Sequence, residues 1–192
     1  MDNKMKMIAV IACLFPVTAF AANDGSIGTT STGTSSISLT IPKLIKARGF
    51  SDFNLGTYTG VGDLAANKDL NVAVNYGTAN RKYSVRATGS GTTGSFTVTN
   101  GNGTELAYDA YYNDATGITE RTNLQFDANL TEQAGSVKPL SNITLNANLS
   151  IEMIETDIQE VDAGAYSGSI TLVFSPEWFN FIIKWTANGN VG

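Results

Sequence analysis

The side chains that most often carry chemistry are scarce in this chain. Among its 192 residues there is no histidine and one cysteine, Cys13. The commonest general base, the thiol nucleophile and the soft metal ligands are therefore missing from everything after Cys13. Carboxylates remain, and Glu152, Glu155, Asp157, Glu160 and Asp162 lie close together in sequence. Paired carboxylates can hydrolyse glycosides, and a larger set can hold calcium through oxygen ligands. The spacing serves neither. On a strand Glu152 points to the face opposite Met153, and no stretch follows the calcium-loop order of ligands and glycine, so a solvated edge or loop is the better reading. Gly89-Ser90-Gly91-Thr92-Thr93-Gly94 is rich in glycine, but no Gly-Lys-Ser/Thr follows it and no helix opens after it. The chain reads as a non-enzyme, with no cofactor and no metal. Among the aromatics, Tyr111 and Tyr112 are the candidates for stacking on a sugar ring. Alternation puts Tyr108 and Tyr112 on one face and Tyr111 on the other, so part of the trio belongs to a core.

The elements that hold these groups are strands. Period-two runs occupy Ile37–Ile41, Phe53–Tyr58, Leu70–Tyr76, Lys82–Ala87, Ser95–Thr99, Leu106–Tyr112, Leu124–Leu130, Leu145–Thr156 and Ala165–Phe174. Gly-, Asn- and Asp-rich turns separate them, and Asn100-Gly101 suits a hairpin turn or a slightly longer loop. No convincing amphipathic helix is present. Many short strands at regular spacing predict an all-β, antiparallel sandwich of immunoglobulin-like type over 42–176. The net charge is −5, and the only dense basic cluster is Lys43, Lys46 and Arg48, which argues against a nucleic-acid partner and reads as a solvated face.

The start of the chain has its own pattern. Lys4 and Lys6 precede an apolar run from Met7 to Phe15, and Ala19-Phe20-Ala21 follows. That is the order of a secretory signal peptide, 1–21, with an uncleaved N-terminal anchor as the alternative. Pro16 interrupts the run, which is too short to span a bilayer, and no transmembrane segment is expected after cleavage. About 170 residues then remain, enough for a single domain with a sizeable core, and none of them is a cysteine. Residues 22–36 are almost wholly polar and predict a flexible extension that leads into Ile37-Ser38-Leu39-Thr40-Ile41. At the other end, 177–192 is an aromatic tail containing both tryptophans, Trp178 and Trp185. It can be one more strand, an extension foreign to the fold, or an adhesive patch for a partner or membrane.

Three features together resemble the subunits of bacterial chaperone–usher fimbriae. Ala163-Gly164-Ala165-Tyr166-Ser167-Gly168 leading into Ser169–Phe174 resembles the last strand of pilins. Leu106-Ala107-Tyr108-Asp109-Ala110-Tyr111-Tyr112-Asn113-Asp114 is similar to the Tyr-x-x-Tyr-x-Asp strand of spore-coat-U-like pilins. The third is the signal peptide, polar stretch and Ile37–Ile41 in succession. Without cysteines in the mature chain, the resemblance is to the archaic or alternate branches of the family.

The resemblance implies an incomplete sandwich, lacking one strand, that a donor strand completes. It implies export through the periplasm to a surface fimbria, with a periplasmic chaperone, an outer-membrane usher and identical or related subunits as partners. Ile37, Leu39 and Ile41 would be donor residues, with Ile27 a further one. Tyr166, Ile170, Leu172 and Phe174 would lie on the final strand that pairs with chaperone or donor. The alternation alone equally suits a first strand that stays in its own sandwich. The second function is a secreted or tip-located adhesin that binds glycans through Tyr111 and Tyr112. Family subunits end near Pro176-Glu177, so Trp178–Gly192 is a departure. For the exported chain, intact mass spectrometry is expected to give an N-terminus at Ala22 and no alkylatable thiol; retention of Cys13 would overturn the cleavage assignment.

Overall fold

The computed structural model describes residues 24–77, 81–91, 94–136 and 139–177. The expected signal peptide and all of the aromatic tail after Glu177 lie outside the described residues. The chain divides into two units at Ile41 and Pro42. In the first, residues 35–41 belong to no strand, and Ile37, Leu39 and Ile41 are 95, 82 and 70 % exposed.

The second unit is almost entirely antiparallel sheet. Its elements are β1 (Ile45–Arg48), β2 (Leu64–Val74), β3 (Lys82–Gly89), β4 (Thr97–Thr99), β5 (Glu105–Ala107), β6 (Asp109–Asn113), β7 (Thr122–Asn123), β8 (Asn129–Ala134), β9 (Ala147–Met153), α1 (Glu155–Gln159) and β10 (Ile170–Pro176). One sheet has the order β1-β2-β9-β6-β7, a second β10-β3-β8, and β4 pairs with β5. The Asn100 turn closes that last hairpin as a longer loop, with its side-chain oxygen accepting from the N–H groups of Asn102 and Thr104 at 3.0 and 2.9 Å.

The alternating residues face inward as the pattern requires. Leu70 and Val72 of β2, Ala110 and Tyr112 of β6, and Ala147, Leu149, Ile151 and Met153 of β9 form one wall of the core. Tyr83, Val85 and Ala87 of β3 form the other. The Tyr83 and Tyr112 hydroxyls meet at 2.7 Å, a buried hydrogen bond that links two strands from different sheets. Polar side chains on the outer face of the larger sheet are also buried. Asn148 donates to Asp69 at 2.8 Å and to Asn67 at 3.2 Å, and Ser150 donates to Asn148 at 2.8 Å. Asp69 also accepts from the Gly117 N–H at 2.8 Å, and Asn113 donates to the carbonyls of Gly117 and Thr119. The loop after β6 is thereby tied to the sheet through Asn148, Ser150 and the Asn113 amide nitrogen, while the buried Asn113 Oδ1 has no partner among the described residues.

Several expected elements differ. Phe53–Tyr58 forms no ladder, although Phe53 and Leu55 pack against the core. The run Leu106–Tyr112 breaks at Tyr108 into β5 and β6, because β5 pairs with β4 and β6 with β9. A short helix, α1, follows β9 where none was expected. Asp63 caps it by accepting from the Glu155 N–H at 2.8 Å, and Glu155 and Asp157 in its first turn suit the positive end of the helix. The basic cluster is not simply a solvated face. Lys43 donates to the Glu177 carbonyl at 2.7 Å and lies over the Tyr76 ring, and Arg48 donates to Asn71 and to the carbonyls of Leu140 and Asn142. Lys46 alone of the three is exposed.

Burial raises the Tyr83 and Tyr112 hydroxyls above their ordinary value of 10.0. In the unfolded chain they ionise near 10, so above that pH the unfolded state holds fewer protons and stability falls as pH rises. Urea unfolding of Tyr112→Phe at neutral pH is expected to show a loss of about 1 kcal/mol, the usual worth of such a bond. A spectrophotometric titration should show these two tyrosines ionising only as the fold is lost. Ionisation of all tyrosines near 10 in the folded chain would contradict their placement.

Candidate functional site

The feature that sets this sandwich apart is the outer edge of β10. In an antiparallel pair, alternate residues aim their N–H and C=O groups at the partner, and the residues between them aim theirs away. Ser90 N–H donates to Ser169 O at 3.0 Å at one end of β10, and Glu177 N–H donates to Lys82 O at 3.1 Å at the other. The register between these points, from Ile170 opposite Gly89 to Pro176 opposite Tyr83, has no shift. Thr171, Val173 and Ser175 therefore face β3. Ile170, Leu172 and Phe174 direct their N–H and C=O groups outward, where no described strand pairs with them, although β1 lies near β10. Pro176 offers only its carbonyl and so ends the row.

The same alternation decides burial. Ile170, Leu172 and Phe174 point into the core but are only half-buried, whereas Tyr83, Val85 and Ala87 on the neighbouring strand are fully buried. Phe174 packs on Tyr83 and Tyr112, with ring centroids 5.9 and 6.1 Å apart, and its other neighbour is Phe50 at 6.2 Å. Phe50 is itself 52 % exposed. The edge of the larger sheet on this side is β1. Asn75 N–H donates to Leu44 O at 3.1 Å, which by the same parity turns the backbone groups of Ile45 and Ala47 away from β2. Their side chains are again inward and half-buried. Two sheet edges thus flank a side of the core that is not closed.

The opposite side is closed. Between β7 and β8 the chain crosses from one sheet to the other. Leu124 N–H donates to Ala110 O and Asp127 N–H to Ala87 O, each at 2.8 Å. Leu124 is buried, and Phe126 packs on Phe96 at 5.5 Å. The edge strand there is blunted: β8 has a register shift against β3, and Glu132 takes a left-handed φ of 63°. A charge and a kink are usual protections against unwanted pairing. β10 has neither over Ile170–Phe174.

The predicted site residues separate accordingly. Ile170, Leu172 and Phe174 lie on β10, but Tyr166 does not. Its hydroxyl donates to the Asp162 carbonyl at 2.7 Å and accepts from Asn100 at 3.3 Å, which ties the loop before β10 to the Asn100 turn. Gly168 lies where a Cβ would come within 2.8 Å of Ser90 Oγ and 3.0 Å of the Thr97 carbonyl, so this loop packs too closely for a side chain there. Tyr112 is fully buried and presents no face to a glycan, since alternation puts it inside with Tyr108. Tyr111 is on the outer face, but the Arg121 guanidinium covers its ring at 4.0 Å. Arg121 also pairs with Glu152 at 2.6 Å, which leaves that carboxylate engaged with a cation. Phe50 and the outward backbone of Ile45 and Ala47 were not anticipated. Only the pairing of β1 reveals them.

The ladder parity gives a sharp expectation. Proline at 172 removes an N–H that bonds nothing in β3, whereas proline at 173 removes one that faces Arg86. Val173→Pro should lose about 3 kcal/mol or more. Leu172→Pro should lose markedly less, chiefly the contact of one half-buried side chain, in the same urea titration. Equal losses would mean that the parity is wrong.

No model of a protein family matches this chain, and no curated protein matches it. Among solved structures it is similar to a chain of a chaperone–tip adhesin complex of CFA/I fimbriae biogenesis, with a TM-score of 0.52 and 20 % identity over 70 % of this chain and 42 % of that one. It also aligns with the CupB6 tip adhesin from Pseudomonas aeruginosa at 16 % identity over 70 % of this chain and 44 % of the other, but the TM-score of 0.28 is too low to equate the two folds. The chain spans less than half the length of either. The first likeness extends to fold: this is a pilin-like, antiparallel β-sandwich.

Proposed function

We propose that this chain is a structural subunit of a bacterial surface fimbria, assembled by donor-strand exchange and serving adhesion or biofilm formation. The observation that carries the reading is the row of outward backbone groups on Ile170, Leu172 and Phe174 above half-buried side chains of the same residues. An added strand would satisfy the first and cover the second. Ile37, Leu39 and Ile41 are suited to supply it. They have period-two spacing, are exposed, and belong to no strand of their own. Ile27 would make a further contact. Burying the three aliphatic side chains is worth about 5 to 9 kcal/mol before the cost of ordering the segment. A periplasmic chaperone would hold the edge before assembly, and an usher would pass the subunit to the fibre. The solved neighbour's presence in a complex with a chaperone supports such a partner. A contact of this type is head-to-tail and does not close on itself, so repetition gives a filament. The glycan-binding reading keeps only Tyr111, whose ring Arg121 already covers.

The test is co-expression with a cognate chaperone and usher. Deletion of 22–41, or Leu39→Asp in the intact chain, should leave a subunit that co-purifies with the chaperone but gives no fibres by electron microscopy. Fibres at the level of the parent from both variants would refute donation by this segment.

A further inference from the structure

We infer that Asn75, together with Lys43, is a positioning anchor that keeps the donor segment out of its own groove and so commits it to a neighbouring copy. This rests on the reading that Ile37–Ile41 is donated. A tethered segment acts at a local concentration on the order of millimolar, so a subunit's own strand is a strong competitor for its own open edge. Polymerisation needs that competitor to be held off.

The anchor lies where the segment joins the sandwich. The Asn75 side chain brackets Lys43. Its Oδ1 accepts from the Leu44 N–H at 2.6 Å, and its Nδ2 donates to the Pro42 carbonyl at 3.0 Å. The Asn75 N–H donates to the Leu44 carbonyl at 3.1 Å, which continues the register of Ile45 opposite Val74 by one residue. The next pair in that register is Lys43 with Tyr76, and the Lys43 ammonium lies 5.0 Å from the centre of the Tyr76 ring. Pro42–Leu44 thus prolongs β1 past the end of its ladder instead of turning back.

β10 finishes at the same end of the sandwich. Lys43 Nζ donates to the Glu177 carbonyl at 2.7 Å, and the Tyr76 hydroxyl donates to the carbonyl of Lys82, the residue opposite Glu177, at 2.9 Å. β1 therefore starts where β10 ends, and the two strands run in opposite directions. For Ile37–Ile41 to lie on its own β10, the chain would have to reverse within Pro42–Leu44 and then run parallel to β10. That reversal breaks the bond from Asn75 to the Pro42 carbonyl. The local sequence opposes it as well. A two-residue hairpin turn at Pro42-Lys43 needs a positive φ at the proline, whose ring fixes φ at about −65°. No glycine, asparagine or aspartate occurs from Ile37 to Ala47 to take such a φ elsewhere. A segment arriving from a neighbour meets none of these constraints.

Intramolecular disulfide formation tests this in dilute chains that start at Ala22 and have no native cysteine. Leu172→Cys is combined in turn with Ile37→Cys, Leu39→Cys and Ile41→Cys, and intact mass with mobility in the absence of reductant reports monomers that close on themselves. The parent pairs should close slowly. Asn75→Ala should close about fivefold faster, the usual worth of one hydrogen bond. Asn75→Asp should also close faster, because it keeps the acceptor for Leu44 but loses the donor to Pro42. Pro42→Asn/Lys43→Gly supplies the missing turn. It should close at least about tenfold faster and bind a synthetic peptide of residues 35–42 about tenfold more weakly than the parent. Urea unfolding reports that each variant is folded; a merely structural role for Asn75 would shift that midpoint and leave the closure rate alone. Asn75 variants that close at the parent's rate, while the turn variant closes faster, would overturn the inference and leave donation standing. A parent that closes as fast as the turn variant would overturn it too. If no chain closes although the peptide binds all of them alike, the anchor falls and donation stands. If no chain closes and the peptide binds none, donation by Ile37–Ile41 falls and the anchor with it.

Discussion

A strand inside a sheet has partners for its backbone on both sides. In β10 the groups of Thr171, Val173 and Ser175 meet β3, while those of Ile170, Leu172 and Phe174 pair with no described strand. Water can satisfy those groups, so the edge alone costs little. Its effect on the core is greater. A missing neighbour leaves the inward side chains of the same residues half-covered, and Phe174 is the aromatic that joins Tyr83 and Tyr112 to the open side. The backbone vacancy and the apolar vacancy coincide because both follow from one alternation. Only an extended segment with apolar residues at every second position fills both, and Ile37–Ile41 has that spacing.

The rest of the fold makes this incompleteness tolerable. Without a disulfide, the sandwich relies on a core that is dense away from β10 and on polar ties across the outer face of the larger sheet. The Asp69–Asn148–Ser150 chain and the Asn113 bonds secure the loop after β6. The crossover from Leu124 to Asp127 closes the far side. Protection of β8 by Glu132 and a register shift, beside an unprotected β10, is a difference within one sheet. It argues that openness belongs to a particular edge rather than to the sandwich as a whole.

Much of this was legible in the sequence. Period-two patterning located β2, β3, β6, β9 and β10, since each buries one face, and it put Tyr108 and Tyr112 on one face and Tyr111 on the other without deciding which face is the core; burial decides for Tyr108 and Tyr112. It failed where pairing rather than burial decides. Phe53–Tyr58 alternates and packs on the core, yet has no strand beside it to bond with. Tyr166 reads as part of the last strand, but its hydroxyl is committed to Asp162 and Asn100. The helix α1 was missed because five residues contain no repeat of the helical period, and its cap comes from Asp63, far away in sequence. The open edge itself has no sequence signal, because nothing in Ile170–Phe174 distinguishes a strand with two neighbours from a strand with one.

The central claim is that Ile37–Ile41 of one copy lies along β10 of the next. No residue after Cys13 is a cysteine, so engineered pairs in a chain that starts at Ala22 report without background. Leu172→Cys in one copy should form an intermolecular disulfide in assembled fibres with cysteine at one or more of positions 37, 39 and 41 in the other, whose side chains would share the inward face. Cysteine at 38 or 40 should not cross-link, because those side chains point outward. Disulfide-linked dimers restricted to the odd positions are the predicted result. Cross-links at all five positions alike, or none at the odd ones in chains that still form fibres, would contradict the account.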